Sequence, residues 1–301
     1  SLHDALPIYA VPAGKIIRCW LPYPRQDQAR QQDVEFISAS EPQYTFSSPE
    51  CRHSTLYMEK RAVEGEPTVF SETFEFTANG EWHNLKPEDV QPYDTTTALY
   101  KEYTAEREKH IVFSPRLREL AAKLTAGETN PYLKTKRIFR WVNDNFPWAS
   151  AREYSTIENI PEYVLDNRHG DCGQVSLLFI TLCRISGIPA HFQSGFMMHP
   201  RAWNLHDWAE VYFEGVGWVP ADQSFGIPAF ARNADEEYFF LGGIDSWRMI
   251  VNTDYGMPLQ PEKQYPRSET VDFQRGEVEW EGGNLYFPQW DYHMDIDYLN
   301  Y

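Results

Sequence analysis

The sequence predicts an α+β protein in three parts: a β-sandwich over 9–112, a mixed helix–strand core over 113–250 and a C-terminal β-strand extension over 251–301. Three observations predict it. The N-terminal part holds short alternating strands punctuated by Pro and Gly, with no helical period. From Ser114 onward, capped helices take over, and a strand hairpin follows them. Near the C-terminus, apolar and polar residues alternate again. Residues 1–8 read as non-native translated sequence and are left out of the fold argument.

In the first part, 15–21 is a strand closed by Pro22 and Pro24. The runs 53–61 and 68–77 alternate around the turn Glu64-Gly65-Glu66-Pro67. Several such strands without a helix between them read as a sandwich. Residues 94–107 are a polar connector, partly helical. Ser114-Pro115 then opens a helix, with serine as N-cap and proline at the first position. Leu117, Leu120, Ala121 and Leu124 form its inner stripe, and Gly127 ends it. Asn130-Pro131 repeats the device, with Ile138, Trp141 and Val142 on the buried face and Phe146-Pro147-Trp148 at the close. Residues 228–248 are aromatic and acidic, without a clear period. At the end, Trp290, Tyr292, Met294, Ile296 and Tyr298 alternate with Asp291, His293, Asp295 and Asp297. That is a strand buried on one face, with Val278 and Trp280 as its hairpin partner across Gly282-Gly283. The aspartates read as a solvated face rather than a calcium site.

The chemistry lies in the middle. Asp171 followed by Gln174 reads as a capping box, which makes Cys172 the first residue of a helix. Val175, Leu178, Phe179, Leu182 and Ile185 recur at helical spacing, so one stripe faces a core, and Gly187-Ile188-Pro189 stops the helix. Unsatisfied backbone N–H groups and the positive end of the helix dipole favour the thiolate, which is the nucleophilic form. Gly170 and Gly173 leave space beside the sulfur for a substrate backbone. Taken alone, Cys172 reads first as a buried cysteine at a helix start.

Downstream, 204–213 and 218–222 are two strands around the Gly-rich break Glu214-Gly215-Val216-Gly217. His206 and Asp222 lie near the outer ends of this hairpin. Parity decides whether they meet: an even-numbered loop would put them on opposite faces, whereas a three-residue loop such as Glu214-Gly215-Val216, or a bulge there, puts them on one face within diagonal reach. A cysteine, a histidine and an aspartate so placed have the order of a nucleophile, its base and the base's orienter.

Four motifs in this order resemble the transglutaminase-like superfamily: Gly170-Asp171-Cys172-Gly173, Gly187-Ile188-Pro189-Ala190, the 206–212 strand and Gly217-Trp218-Val219-Pro220-Ala221-Asp222. The match spans roughly 113–226. The resemblance implies a papain-like core, with Cys172 as nucleophile, His206 as base and Asp222 as its partner. It also makes Trp148 the best-placed candidate for an oxyanion or substrate contact, with Tyr154 a weaker one; a packed core tryptophan is the competing reading of Trp148. Gln223 and Ala221 depart from the residues usual beside that aspartate. Arg18-Cys19-Trp20-Leu21-Pro22-Tyr23-Pro24-Arg25 is similar to the immunoglobulin-like domain that often precedes such cores in bacterial proteins, and that resemblance implies a periplasmic or secreted location.

A net charge of −17 argues against nucleic acid and anionic membranes as partners, because both repel an acidic protein. No apolar run approaches a membrane span, and no charged-then-apolar leader is visible; a chain that does not begin with Met reads as trimmed. Four cysteines imply no disulfide scaffold. Cys172 and Cys183 stand roughly 16 Å apart along one helix, too far to bond. Cys183 is a small core residue, and Cys19 and Cys51 are either paired or free. His169, His191 and His199 lack partners at zinc spacing, so no metal is predicted, and the chemistry calls for no cofactor. His199 is the one rival base. The expected function is thiol-dependent acyl transfer on a peptide or amide substrate, with free acid as the main product. The alternatives are a crosslinking transferase and a catalytically silent peptide- or glycan-binding module.

Overall fold

The structure, a computed structural model, describes residues 2–6, 11–150 and 152–299, with 2–6 described as backbone. The chain forms two compact units. The first comprises the chain up to Asn79, Ser194–Leu205 and the chain from Trp247 onward; the second comprises Gly80–Gln193 and His206–Ser246.

The first unit opens with β1 (Leu2–Leu6), β2 (Ile16–Pro22), β3 (Gln31–Ala39), β4 (Tyr44–Phe46), β5 (Thr55–Arg61) and β6 (Thr68–Ala78). The second begins with β7 (Glu81–Trp82), α1 (Ala98–Tyr103), α2 (Pro115–Leu124), α3 (Pro131–Asn145), α4 (Ile160–Asn167) and α5 (Cys172–Ile185). Next come β8 (Ala190–His199) and β9 (Ala202–Phe213), each with residues in both units, then β10 (Gly217–Ala221), α6 (Ala234–Glu237) and β11 (Gly243–Ile244). The first unit is completed by β12 (Arg248–Thr253), β13 (Glu277–Trp280), β14 (Gly283–Leu285) and β15 (Asp291–Met294).

Two antiparallel sheets build the first unit, in the orders β15-β1-β6-β3 and β14-β13-β2-β5-β4. Ile17, Cys19 and Leu21 of β2, Leu56 and Met58 of β5 and Val278 of β13 share one core with Phe70 and Phe74 of β6 and Phe36 of β3. This is the expected sandwich. The period of two turns Trp20 to the other face of β2, where it packs with Phe196, Met249 and Phe273 and donates Nε1–H to the Pro261 carbonyl at 2.7 Å. Burial on both faces makes β2 the central strand, each apolar side chain contributing about 1.5–3 kcal/mol.

Two expectations for this unit need correction. Residues 251–301 are not a separate extension: β13 pairs with β2 in the register Trp280↔Ile17, so the C-terminal segment completes the N-terminal sandwich. The boundaries 9–112, 113–250 and 251–301 therefore give way to the two units above. Nor does β13 pair with the last strand; it turns through Gly282 onto β14, while β15 lies beside β1. Of the stretch 1–8 set aside as non-native, Leu2–Leu6 form β1 between β6 and β15, and residues 1, 7 and 8 lie outside the described residues. Cys19 and Cys51 are not joined by a disulfide.

In the second unit the caps fall where the sequence places them. Ser114 Oγ accepts the Leu117 N–H and Asn130 Oδ1 the Leu133 N–H, both at 3.2 Å. The central element is α5. One buried stripe was expected, but every residue from Gly173 to Arg184 is buried, because α2, α3 and α4 all pack against the helix. Of its two buried hydroxyls, Thr181 Oγ1 donates to the Leu177 carbonyl at 2.7 Å, whereas Ser176 Oγ has no hydrogen-bond partner among the described residues. No helix among the described residues is long and apolar enough to cross a membrane.

Candidate active site

The turn between α4 and α5 sets the position of Cys172. Arg168 ends α4 in the left-handed region at φ 63°, and the Ala149 N–H donates to the Gly170 carbonyl at 3.0 Å. Asp171 then caps α5: its Oδ1 accepts the Gln174 N–H at 3.0 Å, and Gln174 Oε1 accepts the Asp171 N–H at 3.4 Å. Cys172 is the first helical residue.

The β9–β10 hairpin brings His206 and Asp222 together. Gly217 pairs with Phe213 and Ala221 with Ala209, so the loop is Glu214-Gly215-Val216, and 206 and 222 share a face. His206 Nε2–H donates to Asp222 Oδ2 at 2.8 Å. The other carboxylate oxygen accepts the N–H groups of Ser224 at 3.0 Å and Phe225 at 3.1 Å, so Asp222 is fixed in place although completely buried. A carboxylate can only accept, which puts the ring proton on Nε2 and leaves Nδ1 as the basic nitrogen of the neutral imidazole. Trp208 stacks on the ring at 5.8 Å between centroids, and Phe225 meets it edge-on at 5.3 Å. Trp208 is itself held by its Nε1–H, which donates to Gln193 Oε1 at 2.6 Å.

The thiol has a different partner. Cys172 S–H donates to Asp207 Oδ2 at 3.3 Å, and among the described residues this is the one side-chain hydrogen bond of the sulfur. Tyr154 O–H donates to Asp171 Oδ1 at 2.5 Å and lies 3.3 Å from Asp207 Oδ2, so one hydroxyl is shared between two carboxylates. Burial pushes the Cys172 thiol well above its ordinary range, and the charges of Asp207 and Asp171 push it further. The expectation of a lowered thiol pKa is therefore corrected: desolvation of the thiol and two adjacent carboxylates outweigh the helix start. Burial likewise raises Asp171 to about 6, with the Tyr154 hydroxyl pulling the other way.

Neither glycine beside the sulfur leaves open space. A Cβ on Gly173 would collide with the Tyr154 hydroxyl and lie 2.7 Å from Asp207 Oδ2; one on Gly170 would lie 3.1 Å from the Gln174 Cβ and 3.2 Å from the Val164 Cγ2. These glycines admit the protein's own side chains. Trp148 is 59% exposed and so is no core residue, while its backbone bridges to Gly170 beside the Cys172 turn. His199, the rival base, packs its ring 6.2 Å from Trp247 in the other unit.

Sequence reasoning passed over Asp207. The signal was available: a carboxylate inside the apolar run of β9 has to be buried, and a buried carboxylate needs a partner.

Residues 118–223 match the model of the transglutaminase-like superfamily core. This part of the chain is a transglutaminase-like domain. The likeness extends to solved folds. A candidate cysteine protease from Cytophaga hutchinsonii superposes with a TM-score of 0.56 over 99% of this chain and 91% of that one, at 16% identity. That likeness covers the β-sandwich as well as the transglutaminase-like domain. An uncharacterized Bacillus subtilis protein, YebA, is 27% identical over 140 residues, which are 40% of this chain and 19% of that protein.

Proposed function

We propose that the transglutaminase-like domain carries out thiol-dependent acyl transfer on peptide or amide substrates, with Cys172 as nucleophile, His206 as base and Asp222 as the residue that orients the base. The observation that carries this reading is the buried 2.8 Å hydrogen bond from His206 Nε2–H to Asp222 Oδ2, which leaves Nδ1 as the proton acceptor. A carboxylate is a poor alternative. Moving a proton from a thiol to Asp207 crosses more than about four pKa units even for ordinary groups, whereas imidazole halves that gap.

In the reaction, the Cys172 proton passes to His206 Nδ1 and the sulfur forms a bond to the substrate carbonyl carbon. The tetrahedral intermediate collapses as the imidazolium returns its proton to the leaving amine, and a thioester remains. Water then attacks the thioester with His206 as base, the C–S bond breaks and the thiol is restored as free acid leaves. Asp222 holds the ring through both steps. We favour water over an amine as acceptor, because water is present at about 55 M and an amine wins only where a site excludes water or binds the amine tightly.

A second reading has its own observation. A thiol hydrogen-bonded to Asp207 beside an exposed Trp148 also suits a silent module that binds a peptide or glycan. Incubation with a panel of fluorogenic amides, alongside labelled-amine incorporation into casein, separates the readings. Thiol-dependent release of free acid, lost in Cys172→Ala, is expected. Amine adducts as the main product would select the transferase, and turnover that survives Cys172→Ala would remove Cys172 from the mechanism.

A further inference from the structure

The residue that touches the sulfur is neither the proposed base nor its orienter. Asp207 presents two groups to Cys172. Its carboxylate accepts the S–H at 3.3 Å, and its backbone N–H donates to the same sulfur. The two act in opposite senses: the carboxylate favours the thiol, and the amide favours the thiolate. Asp207 itself is 2% exposed, so water does not dilute its charge at the sulfur. Its carboxylate is steadied by the Tyr154 hydroxyl at 3.3 Å, and Gly173 is the small residue that lets hydroxyl and carboxylate approach.

Further negative charge lies close by. Asp171 sits at the N-cap on one side, and Glu153 adds a further negative charge near Asp171. The adjacent cation in sequence, Arg168, points elsewhere: it reaches Asn145 Oδ1 at 3.2 Å and lies over the Phe146 ring at 5.1 Å. His206 follows the alternation of β9 to the face shared with Asp222.

We propose that Asp207 is a positioning residue for the Cys172 thiol: its carboxylate, steadied by Tyr154, holds the S–H in a resting hydrogen bond that must break before the proton can pass to His206. The resting site thus holds a protonated thiol, and substrate or a shift of Asp207 has to release it. This inference rests on the reading of Cys172 as the nucleophile.

The test is the pH profile of Cys172 alkylation by iodoacetamide, followed by peptide mass spectrometry in the full chain. Cys172 keeps partial exposure, so a small reagent can reach it. In the wild type the midpoint is expected above the ordinary thiol value of about 8.5. Asp207→Asn and Asp207→Ala keep the backbone N–H and remove the charge. Each is expected to lower the midpoint by about one unit or more and to raise the alkylation rate at pH 7 about tenfold. A change that only loosened the fold would expose the buried Cys183 as well, so Cys183 labelling is followed in the same digests. A wild-type midpoint at or below about 8.5 overturns the proposal even if neither variant folds. So does an unchanged or raised midpoint in folded variants. Alkylation needs no substrate: failure of every amide to turn over, with the profile as expected, would remove the proposed reaction and leave this contact standing.

Discussion

In the first unit Glu277, completely buried, takes Lys263 Nζ at 2.8 Å and the backbone N–H groups of Ser268 at 3.0 Å and Glu269 at 2.7 Å. Glu269 in turn takes Arg275 Nε at 2.6 Å and the Gln274 N–H at 2.8 Å. In the second unit Asp171 is held by the Tyr154 hydroxyl and the Gln174 N–H, with no cationic partner among the described residues. The first arrangement neutralises charge, and it pins the 263–275 segment to β13. The second leaves negative charge beside a thiol. A buried carboxylate matched by a cation serves the scaffold, whereas one held by neutral donors changes the chemistry of its neighbours.

The comparison can be broken at either end. The largest effect is expected at the base. Asp222→Asn keeps the shape at the hairpin but presents an amide to His206 and upsets the ring tautomer. The kcat/KM on any cleaved amide should then fall about 10⁴-fold with the melting temperature little changed, as steady-state kinetics and calorimetry would read. A loss below about tenfold would take Asp222 out of the mechanism.

On the scaffold side, Lys263→Met removes the ammonium from the buried Glu277 charge and leaves it the Arg267 guanidinium at 3.6 Å. Urea denaturation should record a loss of about 3–5 kcal/mol. If the loss stays under about 1 kcal/mol, the pair is not the fastening it looks to be. Gly173→Ala tests the crowding at the thiol. The added methyl collides with Tyr154 and Asp207, and a destabilisation of about 1–3 kcal/mol is expected by the same method. An unchanged midpoint would mean that the hydroxyl and carboxylate can step aside at little cost.

These contrasts also mark what was legible in the sequence. The α5 cap, the Ser114 and Asn130 caps and the parity of the β9–β10 hairpin follow local rules, and local rules are written in adjacent residues. β3 escaped because Gln31, Gln32, Asp33 and Glu35 mask it and irregularities at Gln32/Glu35 and Phe36/Ser38 break its period. The pairing of β13 with β2 joins segments far apart in the chain, and no local pattern encodes it. At the site, alternation separates Asp207 from His206, but which of them touches the sulfur depends on how α5 meets β9. The thiol's environment is likewise a matter of burial, which no motif states.

The smallest expected effect is a pair of opposed titrations in the second unit. Burial pushes His110, whose Nδ1 accepts the Ile160 N–H at 3.2 Å, down to about 4. The unfolded chain therefore takes up that proton first, and the His110 contribution to stability is lost as pH falls from about 6.5 to about 4. Asp171, raised to about 6, works the other way: its contribution is present below about pH 4 and lost as pH rises to about 6. The two offset each other across one window. His110→Asn should unmask the Asp171 slope, so that the urea midpoint declines between about pH 4 and 6 more steeply than in the wild type. Parallel profiles for the two proteins would contradict the burial assigned to His110.

The central claim, that Cys172 attacks carbonyl carbon with His206 taking its proton, is tested most directly by intact-mass analysis of the acyl-enzyme. The protein is mixed with an activated ester or amide, quenched in acid and digested to locate the adduct. The account predicts a single acyl group on Cys172, absent in Cys172→Ala and formed far more slowly in His206→Ala. Acylation of Cys183 or of no cysteine at all, while the substrate is still consumed, would contradict it.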